Sequence, residues 1–225
     1  MTITVTYEPT YRGYSINACK TKEYGVITDI MKNIIDQIEH ILSHHSRISV
    51  IRFDCHFPKN WTTNHKLENE RVSQLTKMLR QKLGSKKWLE HKNIVQGWAY
   101  EVGDKSKRGH YHYFIAFKAL YYRLGSFKGG TYTGLYGLIK DCWSSVVDGH
   151  VEFAGTHTVN RSNRIQINNC IYHLSYLAKV RDKQFGQGST AKNYSLSRLS
   201  RKDKTIAPTA NDQAEGSLLS NLIGL

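Results

Sequence analysis

Two imidazoles two residues apart, His110 and His112, and a carboxylate nine residues upstream, Glu101, carry the strongest chemical signal in the 225-residue chain. They lie in the segment 98–117 (WAYEVGDKSKRGHYHYFIAF). On a strand, positions i and i+2 share a face, so His110 and His112 point one way while Tyr111 and Tyr113 point the other. On the preceding run, Trp98, Tyr100 and Val102 share one face, and Ala99 and Glu101 the other. Pairing across the polar loop Asp104–Gly109 brings Glu101 opposite or diagonal to the two histidines. The aromatic faces then coincide as the buried side, which leaves two imidazoles and one carboxylate on an exposed sheet surface. A His-x-His pair alone is common as surface polarity. The carboxylate in register, beside a loop that carries Lys105, Lys107 and Arg108, turns it into a candidate metal site. Three such ligands leave coordination positions open, and without thiolates they suit Mg²⁺ or Mn²⁺, which also take substrate oxygens.

A second constellation follows at 169–180 (NCIYHLSYLAKV). If this stretch is helical, Tyr172, Tyr176 and Lys179 lie along one stripe. Two readings stand open at this point: tyrosines at helical spacing packed into a core, or a phenol that acts as a nucleophile in phosphoryl transfer. With a pKa of roughly 10, a phenol needs a metal to polarise the scissile phosphate and a nearby cation to steady the charge.

Elements of both kinds surround these residues. Ile27, Ile30, Met31, Ile34, Ile35, Ile38, Ile41 and Leu42 predict an amphipathic helix over 26–44. Val72, Leu75, Met78, Leu79 and Leu83, closed by Gly84, predict another over 64–83. A third runs from Leu135 to Val146 and is closed by Gly149, and a last covers Cys170–Lys183. Strand composition marks Arg47–Phe57, Ile94–Gly103 and His110–Phe117, with weaker signals at Val151–Thr158 and Arg164–Ile167. Helices interleaved with adjacent hairpin strands imply an α+β fold, a mostly antiparallel sheet with helices packed on it. His44, His45, His56, His65 and His157 show no partner pattern. Trp61, Trp88 and Trp143 read as core or interface residues, and Gly129-Gly130 as a turn.

The chain has 32 Lys+Arg against 18 Asp+Glu, a net charge of +14. An excess of that size concentrates polyanions near the surface and points to nucleic acid. With hydrophobic residues at 40%, the chain can bury a real core, which excludes a disordered tail, a collagenous chain and a disulfide-stapled miniprotein. Cys19, Cys55, Cys142 and Cys170 lie far apart with no CxxC, so four reduced thiols in a cytoplasm are expected. No signal peptide and no membrane-spanning run is visible. Lys179–Lys204 holds eight basic residues against two acidic ones. It reads either as a solvated flank or as a strip, with Arg198, Arg201 and Lys202, that tracks a nucleic-acid backbone. Residues 1–205 read as one domain and 206–225 as a loose tail.

His110-Tyr-His112 among hydrophobic residues, followed downstream by Tyr172-x-x-x-Tyr176-x-x-Lys179, resembles the HUH endonucleases. More narrowly, it is similar to rolling-circle replication initiators of filamentous phages, prophages and plasmids, because here the tyrosine follows the histidine motif. The resemblance covers residues 47–185 and implies an antiparallel, ferredoxin/RRM-like sheet that carries the histidines, with the tyrosine helix laid against it. It also implies a divalent ion held by His110, His112 and Glu101. Tyr176 is then the nucleophile, Tyr172 a possible second one, and Lys179 a contact to the scissile phosphate or to water on the metal. The DNA contacts expected with it are Lys105, Lys107, Arg108, Arg198, Arg201 and Lys202. The activity implied is site-specific nicking and strand transfer through a 5′-phosphotyrosine on single-stranded or supercoiled origin DNA. The chain carries no Walker-type GxxxxGK[ST], so unwinding and synthesis are left to a host helicase and DNA polymerase. A single-tyrosine HUH transposase and a non-catalytic DNA-binding regulator are the alternatives.

Overall fold

Three long strands buried on both faces, with helices packed on each face, decide the architecture. The computed structural model describes residues 3–88, 91–103, 108–119, 124–180, 183 and 192–202. Its centre is an antiparallel sheet of β1 (Arg47–His56), β2 (Val95–Val102), β3 (Gly109–Lys118), β4 (His150–Asn160) and β5 (Tyr194–Leu196), in the order β4-β1-β3-β2-β5. The helices are α1 (Thr28–His44), α2 (His65–Leu83), α3 (Gly134–Val147) and α4 (Arg164–Leu174). From β1 to β4 the chain runs βαββαβ with strand order 4-1-3-2, the ferredoxin-like arrangement. α1, α4 and the edge strand β5 are additions to that unit. The expected α+β fold is therefore the observed one.

Helices cover both faces of the sheet. On one face, Ile48, Val50, Val95, Ala99, Phe114 and Ala116 pack against the isoleucine stripe of α1 and against Ile167, Cys170, Ile171 and Leu174 of α4. On the other, Ile51, Phe53, Tyr111, Tyr113, Ile115, Phe117, Trp98 and Tyr100 pack against α2 and α3, with Trp143 fully buried among them. Two filled faces pin the strand register, because a slip by one residue would exchange every side chain between the two cores. All four cysteines are free thiols. Among the described residues, no helix is long and apolar enough to cross a membrane.

Three expectations need correction. Residues 164–167 form no strand: Asn163 caps α4 by accepting the amide of Gln166 at 3.0 Å. The spacing Ile167, Cys170, Ile171, Leu174 then continues a helical stripe. The last helix accordingly starts before Cys170 and ends at Leu174, where Ser175–Ala178 tighten into a 3-10 turn. α3 closes on Asp148, which takes the left-handed conformation (φ 53°), rather than on Gly149. The tail 206–225, and part of the basic stretch before it, lie outside the described residues.

Candidate active site

The β2–β3 pairing sets Glu101 directly opposite His110, with Ala99 opposite His112. His110 Nε2 lies 3.2 Å from His112 Nε2, and Glu101 Oε2 lies 2.9 Å from His112 Nε2. The three ligand atoms fall within 4.8 Å of one another. Adjacent ligands of an octahedral ion bound at roughly 2.1 Å stand about 3 Å apart, the spacing of the two separations made by His112 Nε2. The expectation of an exposed surface is wrong, however. Glu101 and His112 are each 4% exposed, because α4 and the turn behind it lie over this end of the sheet.

The surroundings were not legible in the motif. Asp54, opposite His112 on β1, accepts from His112 Nδ1 at 2.7 Å and so orients the ring. The other oxygen of Glu101 accepts from Lys183 Nζ at 2.6 Å. Burial works against charge on these groups, and local pairs override it at Glu101 and His112. Glu101 is held down to about 2 by the bond to His112 and the Lys183 charge. His112 is raised by Asp54 and Glu101. His110, with weaker partners, is lowered by burial and by His112.

Tyr176 closes the site from the 3-10 turn. Its neighbours Ser175, Leu177 and Ala178 are buried, and Lys179 bridges to Val26, so the ring is carried on a fixed segment. It meets His112 edge to face, with centroids 4.9 Å apart. The Arg52 guanidinium sits 4.4 Å from the ring centre and Lys179 Nζ 4.6 Å. Arg52 is itself buried and faces Asp54 at 3.6 Å. It also donates to His173 Nε2 at 3.2 Å, which leaves the His173 Nδ1 proton to bond His157 Nε2 at 2.8 Å. The bulge in β4 at Phe153/Gly155 makes room for that pair, since a Cβ on Gly155 would lie 2.6 Å from His173 Cε1.

The structure thus brings together Glu101, His110, His112, Tyr176 and Lys179. Tyr172 is not part of the group. It is 46% exposed, and the change from α to 3-10 geometry between it and Tyr176 breaks the single stripe expected of one continuous helix. Arg108 stands at the entrance to β3 and lines a cleft with His110. Lys105 and Lys107 lie outside the described residues. Arg198 lies at a groove with Arg80, and the strip it begins runs along α1, tied by Leu199 to Gln37 and by Lys202 to Ser43. Arg198, Arg201 and Lys202 are exposed. Asp54, Arg52, His173, His157, His56 and Lys183 were missed. The strand alternation of 47–57 does place Arg52, Asp54 and His56 on the histidine face, once β1 is known to pair with β3.

Residues 10–195 match the model of the YagK/YfjJ C-terminal domain. The chain belongs to that family. The family match spans the whole cluster and the tyrosine turn but stops before Arg198, Arg201 and Lys202. No curated protein and no solved structure matches the chain.

Proposed function

We propose that the protein is a rolling-circle replication initiator, a metal-dependent DNA nickase and strand transferase. The observation that carries this reading is the Tyr176 ring packed against His112, one of three side chains whose ligand atoms converge as for a single ion. Glu101, His110 and His112 would hold Mg²⁺ or Mn²⁺, with Asp54 behind His112. Such an ion withdraws charge from the scissile phosphate.

The rest falls to the chain. Tyr176 Oη attacks phosphorus, the bond from phosphorus to the 3′ oxygen breaks, and a tyrosyl 5′-phosphate ester forms. The phenol gives up one proton and the departing 3′ oxygen takes one, so no further reactant is consumed. Arg52 and Lys179 flank the ring and place two cations beside the reacting group. The ester conserves the bond energy, so reversal by another 3′-hydroxyl joins strands without ATP.

The test is covalent adduct formation with single-stranded fragments tiled across the DNA flanking the coding sequence. Adduct is expected with Mn²⁺ and is lost in excess EDTA. It is also lost in His110→Ala and His112→Ala, while most DNA binding persists because phosphate contacts dominate affinity. Comparable cleavage in EDTA overturns the metal reading. Binding without any adduct returns the chain to a non-catalytic DNA-binding regulator.

A further inference from the structure

A cleft of about 380 Å³ adjoins the cluster between the end of β1, the start of β3 and the turn from α3 into β4. His110 forms part of its wall. His56 stands opposite His110, and His150 opposite His56. The three rings form a ladder across three strands, with centroids 5.4 and 4.7 Å apart and planes inclined by only 10° at each step. Lys59 and Arg108 line the same cleft with Asp148, and the Glu152 carboxylate stands 3.8 Å from His56 Nε2. His56 Nε2 is buried there without a hydrogen-bond partner. Both faces of His56 are taken by its two neighbours in the ladder, so the open ring face is the outer one of the exposed His150. An open flat ring beside cations is the feature by which a single-stranded nucleotide is held: the base stacks and the phosphate pairs. The volume lies in the range of small-ligand sites.

The placement adds a direction. Tyr176 touches His112 and Arg52, whereas the cleft starts at His110, two residues or roughly 7 Å further along β3. The three-ligand cluster therefore lies between the phenol and the cleft. An in-line displacement sets the attacking and leaving oxygens on opposite sides of phosphorus.

We infer that this cleft binds the nucleoside on the leaving side of the scissile phosphate, with its base on the outer face of His150 at the end of the ladder and its backbone at Lys59 and Arg108. The leaving-side assignment rests on the nickase reading; strand binding in the cleft does not. Holding the released 3′ end here would keep it near the tyrosyl ester for rejoining.

The experiment is photocrosslinking of the full chain, in EDTA, to a sequence-randomised single-stranded oligonucleotide that carries 5-iododeoxyuridine, followed by peptide mapping. Crosslinks are expected within 56–59 and 148–150. They should fall about tenfold in His150→Ala, as for loss of one stacked base, and return in His150→Phe, which restores a flat ring. Crosslinks found only elsewhere, or indifferent to His150→Ala, overturn the cleft as a strand site. The Tyr176 adduct is scored separately. Adduct without cleft crosslinks removes the cleft alone, and cleft crosslinks without adduct remove the nickase reading and with it the leaving-side assignment.

Discussion

The two faces of the central sheet use the same residue type in opposite ways. On the α2/α3 face, Tyr100, Tyr111 and Tyr113 are no more than 1% exposed. Each phenol donates to a fixed acceptor: Tyr100 to Glu68 at 2.7 Å, Tyr111 to Asn69 at 2.7 Å, and Tyr113 to Gln96 at 2.5 Å. Burial raises all three, so they stay neutral and act as polar pins in an apolar core. On the other face Tyr176 is half-buried, with two cations at its ring and a histidine cluster at its edge. The three tyrosines of the α2/α3 face are held as phenols by carboxamide or carboxylate acceptors, whereas Tyr176 has Arg52 and Lys179 at its ring. The difference lies in the neighbours, which strand alternation selects.

The largest expected effect of breaking this contrast is on binding of the proposed divalent ion. Asp54→Ala removes the acceptor that orients His112 and should weaken Mn²⁺ binding by about 10–100-fold, measured by calorimetric titration. Unchanged affinity would mean that the ring is held by packing alone. On the aromatic face, Tyr113→Phe should cost about 1–3 kcal/mol in denaturant unfolding, since it leaves the buried Gln96 oxygen short of a donor. Adduct yield at a temperature where the variant is folded should not change; a loss of activity there would erase the distinction between the faces.

The smallest effect concerns pH. Burial, with Arg52 and His157, holds His173 down at about 4 against an ordinary 6.5. Between those values the unfolded chain binds the extra proton, so His173 contributes stability that is complete above about pH 6.5 and is lost as pH falls toward 4. His173→Gln should therefore be less stable at neutral pH yet flatter in its acid dependence over that window. A parallel profile would show that the His157–His173 pair is not neutral in the folded state.

The sequence carried the local parts of this site and not the tertiary ones. Glu101 could be aligned with His110 because a hairpin joins neighbouring strands, and the helical stripe of α1 needed only its own spacing. Asp54 and Arg52 belong to the site through the β1–β3 pairing across more than fifty residues, which no local period encodes. The burial of Glu101 is not encoded locally for the same reason: the face pattern of β2 and β3 shows which side is polar but not what lies over it. One continuous helix would set Tyr172 beside Tyr176, whereas Ser175, whose hydroxyl donates to the Tyr172 carbonyl at 2.6 Å, begins a tighter turn. His157 looked unpartnered because its partner, His173, sits on another element.

The central claim is that Tyr176, and no other phenol, forms the covalent link to DNA. Peptide mapping of the adduct trapped with Mn²⁺ tests it directly. The account predicts DNA on Tyr176, no adduct from Tyr176→Phe, and a normal first nick from Tyr172→Phe, since phenylalanine keeps the ring and deletes only the hydroxyl. DNA attached to Tyr172 alone, or full adduct yield from Tyr176→Phe, would contradict it.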